Sequence, residues 1–379
     1  MSCFYNPVKV YFGKNELENL RTLISKPDGT KRNVLLITRG RDFKKTTEHG
    51  KILAQLENNI IHELEFTCSN PDISDVCDVV HKIGEFDYDI IIGVGGGSVL
   101  DISKAMAAFK GLPVKKPEDV RNLIVHKSYV SNKNICPWIG IPTTSGTGSE
   151  VTPWATIWDR ENGFKYSIEG IGLFALSAII DPSFTMELPV KTTVSTGLDA
   201  LCHATEAYWS KNTNAVSRLY ALAAIENITA YLEKLIDKPG NEFFREKIAL
   251  ASFYAGMAFS NTKTTACHSI SYPLTMLLGI DHGIAASLTL ARVLHYNEAA
   301  IIEKDKLFNA FGITNSLALE GNIRRILSRA GIPSRLKEFN ADMDILEKIV
   351  ENAYTKGRMD NNPAEISKHE LMGIMTEIL

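Results

Sequence analysis

Residues 197–208 read GLDALCHATEAY, a small and apolar run that carries a carboxylate, Asp199, and an imidazole, His203, four residues apart. Ala200, Leu201, Ala204 and Ala207 are good helix formers, so the spacing predicts a helix with Asp199 and His203 stacked on one face. That pair is half of a metal site. Two further histidines lie in a comparable setting: His268 in TTACHSISYP and His282 in GIDHGIAAS. One carboxylate and three imidazoles form a nitrogen and oxygen donor set suited to Fe(II), Zn(II) or a similar divalent ion. Taken singly, each of these residues is better explained as a helix-surface hydrogen bond or a satisfied core histidine, so the assignment depends on the rest of the chain.

A second chemistry is written in the glycines. Residues 88–94, YDIIIGV, read as a buried strand that runs into Gly95, Gly96, Gly97 and Ser98 before the helical VLDISKAMAAF. Strand, glycine turn and helix N-terminus make an anion site, because glycines let the backbone approach a pyrophosphate while free N–H groups and the helix dipole favour its charge. The spacing is not G-x-G-x-x-G, and a tight turn without a ligand accounts for these glycines about as well. Asp101 and Lys104 fall in the first turns of the helix, placed either to contact ribose or phosphate or to pair with each other. A second loop follows the strand-like WIGIP: Thr143, Thr144, Ser145, Gly146, Thr147, Gly148 and Ser149, whose hydroxyls suit a ribose or diphosphate. Two polar glycine loops after strands fit a dinucleotide better than a mononucleotide.

The elements that must position these groups divide the chain. Residues 33–38 (NVLLIT), a run near 60–66, 88–94 and WIGIP read as strands, with helix patterns at 51–56 and 73–84 between them, so the first part is a doubly wound α/β domain. After residue 184 the apolar spacing is helical, at 217–232, 246–259, 286–296, 323–330 and 344–353. At 379 residues two domains are expected, here 1–184 for the dinucleotide and an all-α domain, 185–379, for the metal, with the active site in a cleft between them. Lys plus Arg of 41 against Asp plus Glu of 44 gives a net charge of -3, which excludes the basic field of a nucleic-acid binder. No window approaches the roughly 18 apolar residues of a membrane span, and the N-terminus lacks a secretory pattern, so a cytoplasmic protein with no membrane partner is expected. Six scattered cysteines are unlike a secreted disulfide framework; Cys202 and Cys267, each beside a candidate ligand, read as packing residues.

Five ordered motifs, GGGSVLDISKA, IPTTSGTGSEVT, IIDPSFTMELP, GLDALCHATEAY and the His268/His282 pair, resemble the iron-containing (group III) alcohol dehydrogenases over most of the chain. The resemblance implies a Rossmann-like first domain and an NAD(P)-dependent oxidoreductase that reversibly reduces a small aldehyde to its alcohol as a homodimer or larger homo-oligomer. It implies Asp199, His203, His268 and His282 as ligands to Fe(II), with Zn(II) the other candidate. It places Gly95, Gly96, Gly97, Ser98 and Asp101 at the dinucleotide diphosphate and ribose, Thr143, Thr144 and Thr147 along the cofactor, and Lys165 near it. A metal that polarises a carbonyl beside a hydride donor fits that activity.

Two departures from the family pattern carry information. Many relatives place a second histidine four residues after the third ligand; here that position is Tyr272, so either Tyr272 or bound water takes the proton role or the metal alone suffices. Many NAD-preferring relatives place an acidic residue after the second strand; here the sequence is Thr38, Arg39, Gly40, Arg41, and two arginines either suit the 2′-phosphate of NADP or point to solvent, so NADP is expected with NAD the other candidate. FYNPVKVYFG, PWATIWD and KTTACHSISYPLT look most like the branch that reduces phosphonoacetaldehyde or sulfoacetaldehyde, with Lys263 and then Arg218 as candidate contacts to the substrate anion. Butanol or propanediol dehydrogenation is the alternative within the same chemistry. A cyclase or lyase of the dehydroquinate synthase type would present one carboxylate and two histidines, and a regulatory protein on this fold would have lost ligands; an intact Asp and three His argue against both.

Overall fold

Valine, isoleucine and leucine dominate the six runs that pair into one parallel sheet, in which Lys9–Phe12, Ser177–Ile180, Trp138–Pro142, Ile90–Gly95, Asn33–Thr38 and Ile60–Glu65 lie side by side in that order. The computed structural model describes residues 3–379; the side chain of Arg41 lies outside the described residues. The strands are β1 (Lys9–Phe12), β2 (Asn33–Thr38), β3 (Ile60–Glu65), β4 (Ile90–Gly95), β5 (Trp138–Pro142) and β8 (Ser177–Ile180), while β6 (Trp154–Asp159) and β7 (Phe164–Glu169) form a separate antiparallel hairpin. Helices α1 (Asn19–Ile24), α2 (Gly40–Phe43), α3 (Thr47–Leu56), α4 (Ile73–Ile83), α5 (Gly97–Phe109) and α6 (Pro117–Val125) intervene. Alternation within β2 decides the layers: Val34 and Leu36 face a core with Leu20, Ile24, Ile52 and Leu56, whereas Leu35 and Ile37 face one with Val76, Val79, Ile102 and Met106. Both faces are covered, which is why these strands read as continuous apolar runs.

The hairpin was not anticipated. Its signal was the alternation of WATIWD followed by Asn162-Gly163, where Gly163 takes φ of 70° and the Asn162 amide donates to both oxygens of Asp159. Trp154–Asp159 pairs residue by residue with Phe164–Glu169.

The chain divides into two compact units, one of residues 6–144 with 149–184, the other of residues 3–5, 145–148 and 185–379. The second is helical: α7 (Val190–Trp209), α8 (Ala215–Asp237), α9 (Glu242–Thr262), α10 (Ala266–Leu278), α11 (His282–Asn297), α12 (Lys304–Phe311), α13 (Ser316–Arg329), α14 (Met343–Asn352) and α15 (Lys368–Glu377). Helices α8 and α9 start earlier than their apolar periodicity, because the side chains of Asn214 and Asn241 accept N–H bonds of the first turn. Among the described residues no helix is long and apolar enough to cross a membrane.

Candidate metal centre and nucleotide loops

Helix α7 carries Asp199 and His203 on one face, buried within the helical unit. Helix α10 brings His268 in its first turn, and α11 begins at His282. That start is fixed by Gly283, where an added Cβ would lie 2.1 Å from the Ser195 carbonyl oxygen and 2.8 Å from Asp199 Cβ. Glycine lets α11 begin directly against α7. His268 Nε2 then lies 3.4 Å and His282 Nε2 4.0 Å from Asp199 Oδ1, and donor atoms of all three residues fall within 4.8 Å of one another.

The donor set fits a cation. Asp199 Oδ1 and His268 Nε2 are both buried without a hydrogen-bond partner. Leaving two such atoms unsatisfied forfeits about 1–3 kcal/mol of desolvation each, more for a charge, and an ion shared between them removes that cost. His203 stands beside the three rather than among them. Its ring is stacked between Phe259, at 4.1 Å, and His268, at 4.3 Å, with Nδ1 3.9 Å from Asp199 Oδ2 and 3.4 Å from the Gly146 carbonyl. The Tyr272 ring lies parallel to His282 at 5.8 Å.

Charge is distributed unevenly over the cluster. Burial alone would raise the Asp199 carboxyl, but His203, His268 and His282 hold it well below the ordinary carboxylate range. Burial, with the charge on His268, lowers His203 to about 4 against the pull of Asp199, leaving it a neutral donor. Burial also disfavours charge on His268, yet Glu206 and Asp199 outweigh it and raise this group to about 10.

In the α/β unit the strand order reverses between β2 and β4, and ligands of such sheets bind beyond the carboxyl ends at that point. The loop Gly95–Ser98 lies there. A Cβ on Gly95 would fall 2.5 Å from Val99, so glycine is needed for α5 to begin directly after β4. Ser98 Oγ accepts the Asn70 N–H at 3.1 Å, whereas Thr143 Oγ1 at the end of β5 is buried without a partner. Asp101 and Lys104 do different things. Lys104 is fully buried and its ammonium donates to Ser149 Oγ, Thr152 Oγ1 and the Trp154 carbonyl, so it ties α5 to β6. Asp101 accepts from Ser149 Oγ and the Thr156 N–H, and burial pushes its carboxyl up against the pull of Lys104 and Lys165. Lys165 Nζ sits over the Trp158 ring at 5.4 Å. Thr144 packs against Gly96, and Thr147 belongs to the short segment 145–148 that clusters with the helical unit.

Arg39 follows β2 with its guanidinium 5.4 Å over the Phe43 ring, and its Nε is buried without a partner. Acidic groups do occur beside it. Glu65 of β3 is in register with Thr38, but Lys44 pairs with Glu65 at 2.8 Å, and His49 meets Glu63 at 3.0 Å.

The sequence model of iron-containing alcohol dehydrogenase matches residues 7–182, and that of the Fe-containing alcohol dehydrogenase family, C-terminal, matches residues 193–379. An iron-containing alcohol dehydrogenase from Thermotoga maritima superposes with a TM-score of 0.85 at 31% identity, covering 100% of this chain and 99% of that one. The chain belongs to the iron-containing alcohol dehydrogenase family. It is an oxidoreductase, as the ordered motifs implied. A sulfoacetaldehyde reductase from Bifidobacterium kashiwanohense in complex with NAD+ superposes with a TM-score of 0.88 at 29% identity over 100% of this chain and 98% of that one. The NADPH-dependent butanol dehydrogenase of Clostridium saccharobutylicum is 29% identical over 99% of this chain and 97% of its own length.

Within this iron-containing alcohol dehydrogenase the two candidate anion contacts differ in setting. Lys263 ends α9 with φ of 61° and ψ of 179°, a conformation L residues rarely adopt, and the Asn361 amide spans the flanking Thr262 and Thr264 carbonyls. Arg218 Nε lies 3.9 Å from Glu303. Glu206, quoted within the α7 motif but given no role there, proves to contact His268; its position seven residues after Asp199 was the available signal.

Proposed function

We propose that this enzyme interconverts a small anionic aldehyde, of the phosphonoacetaldehyde or sulfoacetaldehyde type, with its primary alcohol. NADP is the preferred cofactor, residues 1–184 hold the nicotinamide cofactor, and residues 185–379 hold Fe(II). Asp199, His268 and His282 ligate the ion and His203 completes the set. Lewis-acid polarisation of a carbonyl and the supply of hydride are what the two groups bring when bound. The protein's own residues do the rest. Asp199 fixes the cation, neutral His203 adds a donor without adding charge, and Tyr272, held parallel to His282, supplies the proton to the product oxygen. Gly95, Gly96, Gly97, Ser98 and Asp101 seat the diphosphate and ribose, with Thr143, Thr144, Thr147 and Lys165 along the cofactor.

The observation that carries the substrate class is Lys263. A non-glycine residue held at positive φ five positions before His268 costs about 1–3 kcal/mol, and such strain persists where its surroundings impose it. The sulfoacetaldehyde reductase neighbour supports the same reading. For the cofactor, the unpartnered Arg39 Nε beside carboxylates already paired to Lys44 and His49 favours a 2′-phosphate.

The test is turnover by iron-loaded protein, under anaerobic conditions, of phosphonoacetaldehyde, sulfoacetaldehyde and butanal with NADPH and NADH. An anionic aldehyde with NADPH should have the highest kcat/KM, and Lys263→Ala should raise KM for that aldehyde about tenfold while leaving butanal unchanged, the loss of one charge-assisted hydrogen bond. Preference for butanal would remove the anionic substrate and leave the dehydrogenase.

Metal binding should also depend on pH. The ion and a proton compete for His268 Nε2, and without metal that ring holds its extra proton up to about 10. Loading therefore releases a proton, and the apparent Kd for Fe(II) should rise about tenfold for each pH unit lowered below that value. Chelator competition at pH 7 and pH 8 checks this; equal affinities at the two would contradict it.

A further inference from the structure

Glu206 is fully buried on α7, one turn beyond His203 and on the face that carries Asp199. Its two oxygens have different partners. Oε1 accepts the Thr265 hydroxyl at 2.9 Å and the His268 backbone N–H at 3.2 Å, so it satisfies an otherwise free N–H in the first turn of α10. Oε2 meets His268 Nδ1 in a short contact. Thr265 Oγ1 in turn accepts the Trp209 indole N–H at 2.8 Å, which directs the threonine proton towards Glu206. The other ring nitrogen, Nε2, is the buried atom without a partner that faces Asp199.

We propose that Glu206 is a positioning residue for the metal centre: by accepting the Nδ1–H of His268 it fixes the tautomer whose Nε2 lone pair faces the ion. The inference rests on the ligand assignment made above. Ligating histidines commonly donate their second N–H to a carboxylate, which sets ring orientation and raises ligand basicity. Here that carboxylate shares a helix with two of the ligands, so one rigid element places three members of the site. Because Oε1 faces two donors, the amide oxygen introduced by Glu206→Gln must occupy that side. The amide NH2 is then turned onto Nδ1, which has to accept, and the ring proton moves to Nε2, where it blocks the metal. The same exchange of carboxylate for amide gives the wrong tautomer in the serine protease triad.

The experiment uses zinc as a diamagnetic probe on the full chain. In the zinc-loaded wild-type protein, long-range proton–nitrogen NMR should place the His268 ring proton on Nδ1; a proton on Nε2 would overturn the proposal without any variant. Metal-free Glu206→Gln at pH 8 should carry that proton on Nε2, keep the far-UV circular dichroism of wild type, and bind zinc about 10–100-fold more weakly by chelator competition. Wild-type zinc affinity in a folded Glu206→Gln protein would also overturn it. His282→Ala separates the two levels: if Glu206→Gln binds normally while His282→Ala does not, the ligand set stands and the role of Glu206 falls. If His282→Ala binds zinc as wild type does, both fall.

Discussion

His282→Ala should yield a folded enzyme that no longer retains its metal and no longer turns over aldehyde. The choice among the ligands follows from burial. His268 is paired inside the protein with Glu206 and Asp199, and removing one partner of a buried pair costs about 3–5 kcal/mol, a large part of the stability of most domains. A protein lacking His268 would lose metal and fold together. The His282 side chain is 27% exposed, meets the Ser271 hydroxyl at 3.3 Å, Asp199 Oδ1 at 4.0 Å and the His268 and Tyr272 rings, and follows the N-cap of α11 rather than forming it. Structural metal sites bind with about 10–16 kcal/mol shared over four ligands, so one ligand contributes about 3–4 kcal/mol, or about 10²–10³ in affinity. Iron content after gel filtration should fall from one per chain to near zero, kcat/KM should fall about 10³-fold, and the thermal midpoint of the metal-free protein should stay within a few degrees of wild type. Full turnover by iron-free His282→Ala protein would remove the metal from the reaction.

How much of this was legible in the sequence depended on how local the determining physics is. The strand at 33–38 and the helix carrying Asp199 and His203 were read from periodicity and propensity, which act over a few residues, and the structure places both as β2 and α7. The glycine run at 95–97 was legible because a strand, a turn and a helix start occur in continuous sequence. Glu206 was not, since its meaning depends on His268, 62 residues away. Lys104 and Asp101, at helical spacing, could by sequence contact a cofactor or pair with each other; in the structure they meet through the Ser149 hydroxyl, and each also bonds the β6 backbone, 48 or more residues further along the chain. Glu65 stands in register with Thr38 on the neighbouring β3 and is paired with Lys44, a placement that only strand order could reveal.

Gly283 shows the same dependence on tertiary contact and gives the second large effect. It reads as one glycine in an unremarkable GIDHGIAAS segment, yet its hypothetical Cβ meets the Ser195 carbonyl oxygen at 2.1 Å, part of the α7 backbone and unable to rotate away. Ordinary contact needs about 3.5 Å, so Gly283→Ala must push α11 from α7 by about 1 Å. His282 is the preceding residue and moves with it, away from Asp199. Overpacking of this kind costs about 1–3 kcal/mol, and a 1 Å misplacement at a reacting centre costs about 10²-fold in rate. Gly279→Ala is the control, because Gly279 has φ of 66° with nothing within 4 Å of its hypothetical Cβ. That change adds left-handed strain of about 1–2 kcal/mol without displacing a ligand. Chelator competition and thermal unfolding on both variants should give similar losses of stability but a metal affinity lowered at least tenfold in Gly283→Ala alone. Equal affinities would mean that α11 reaches Asp199 by packing loose enough to absorb a methyl group, and that Gly283 does not set the distance between His282 and Asp199.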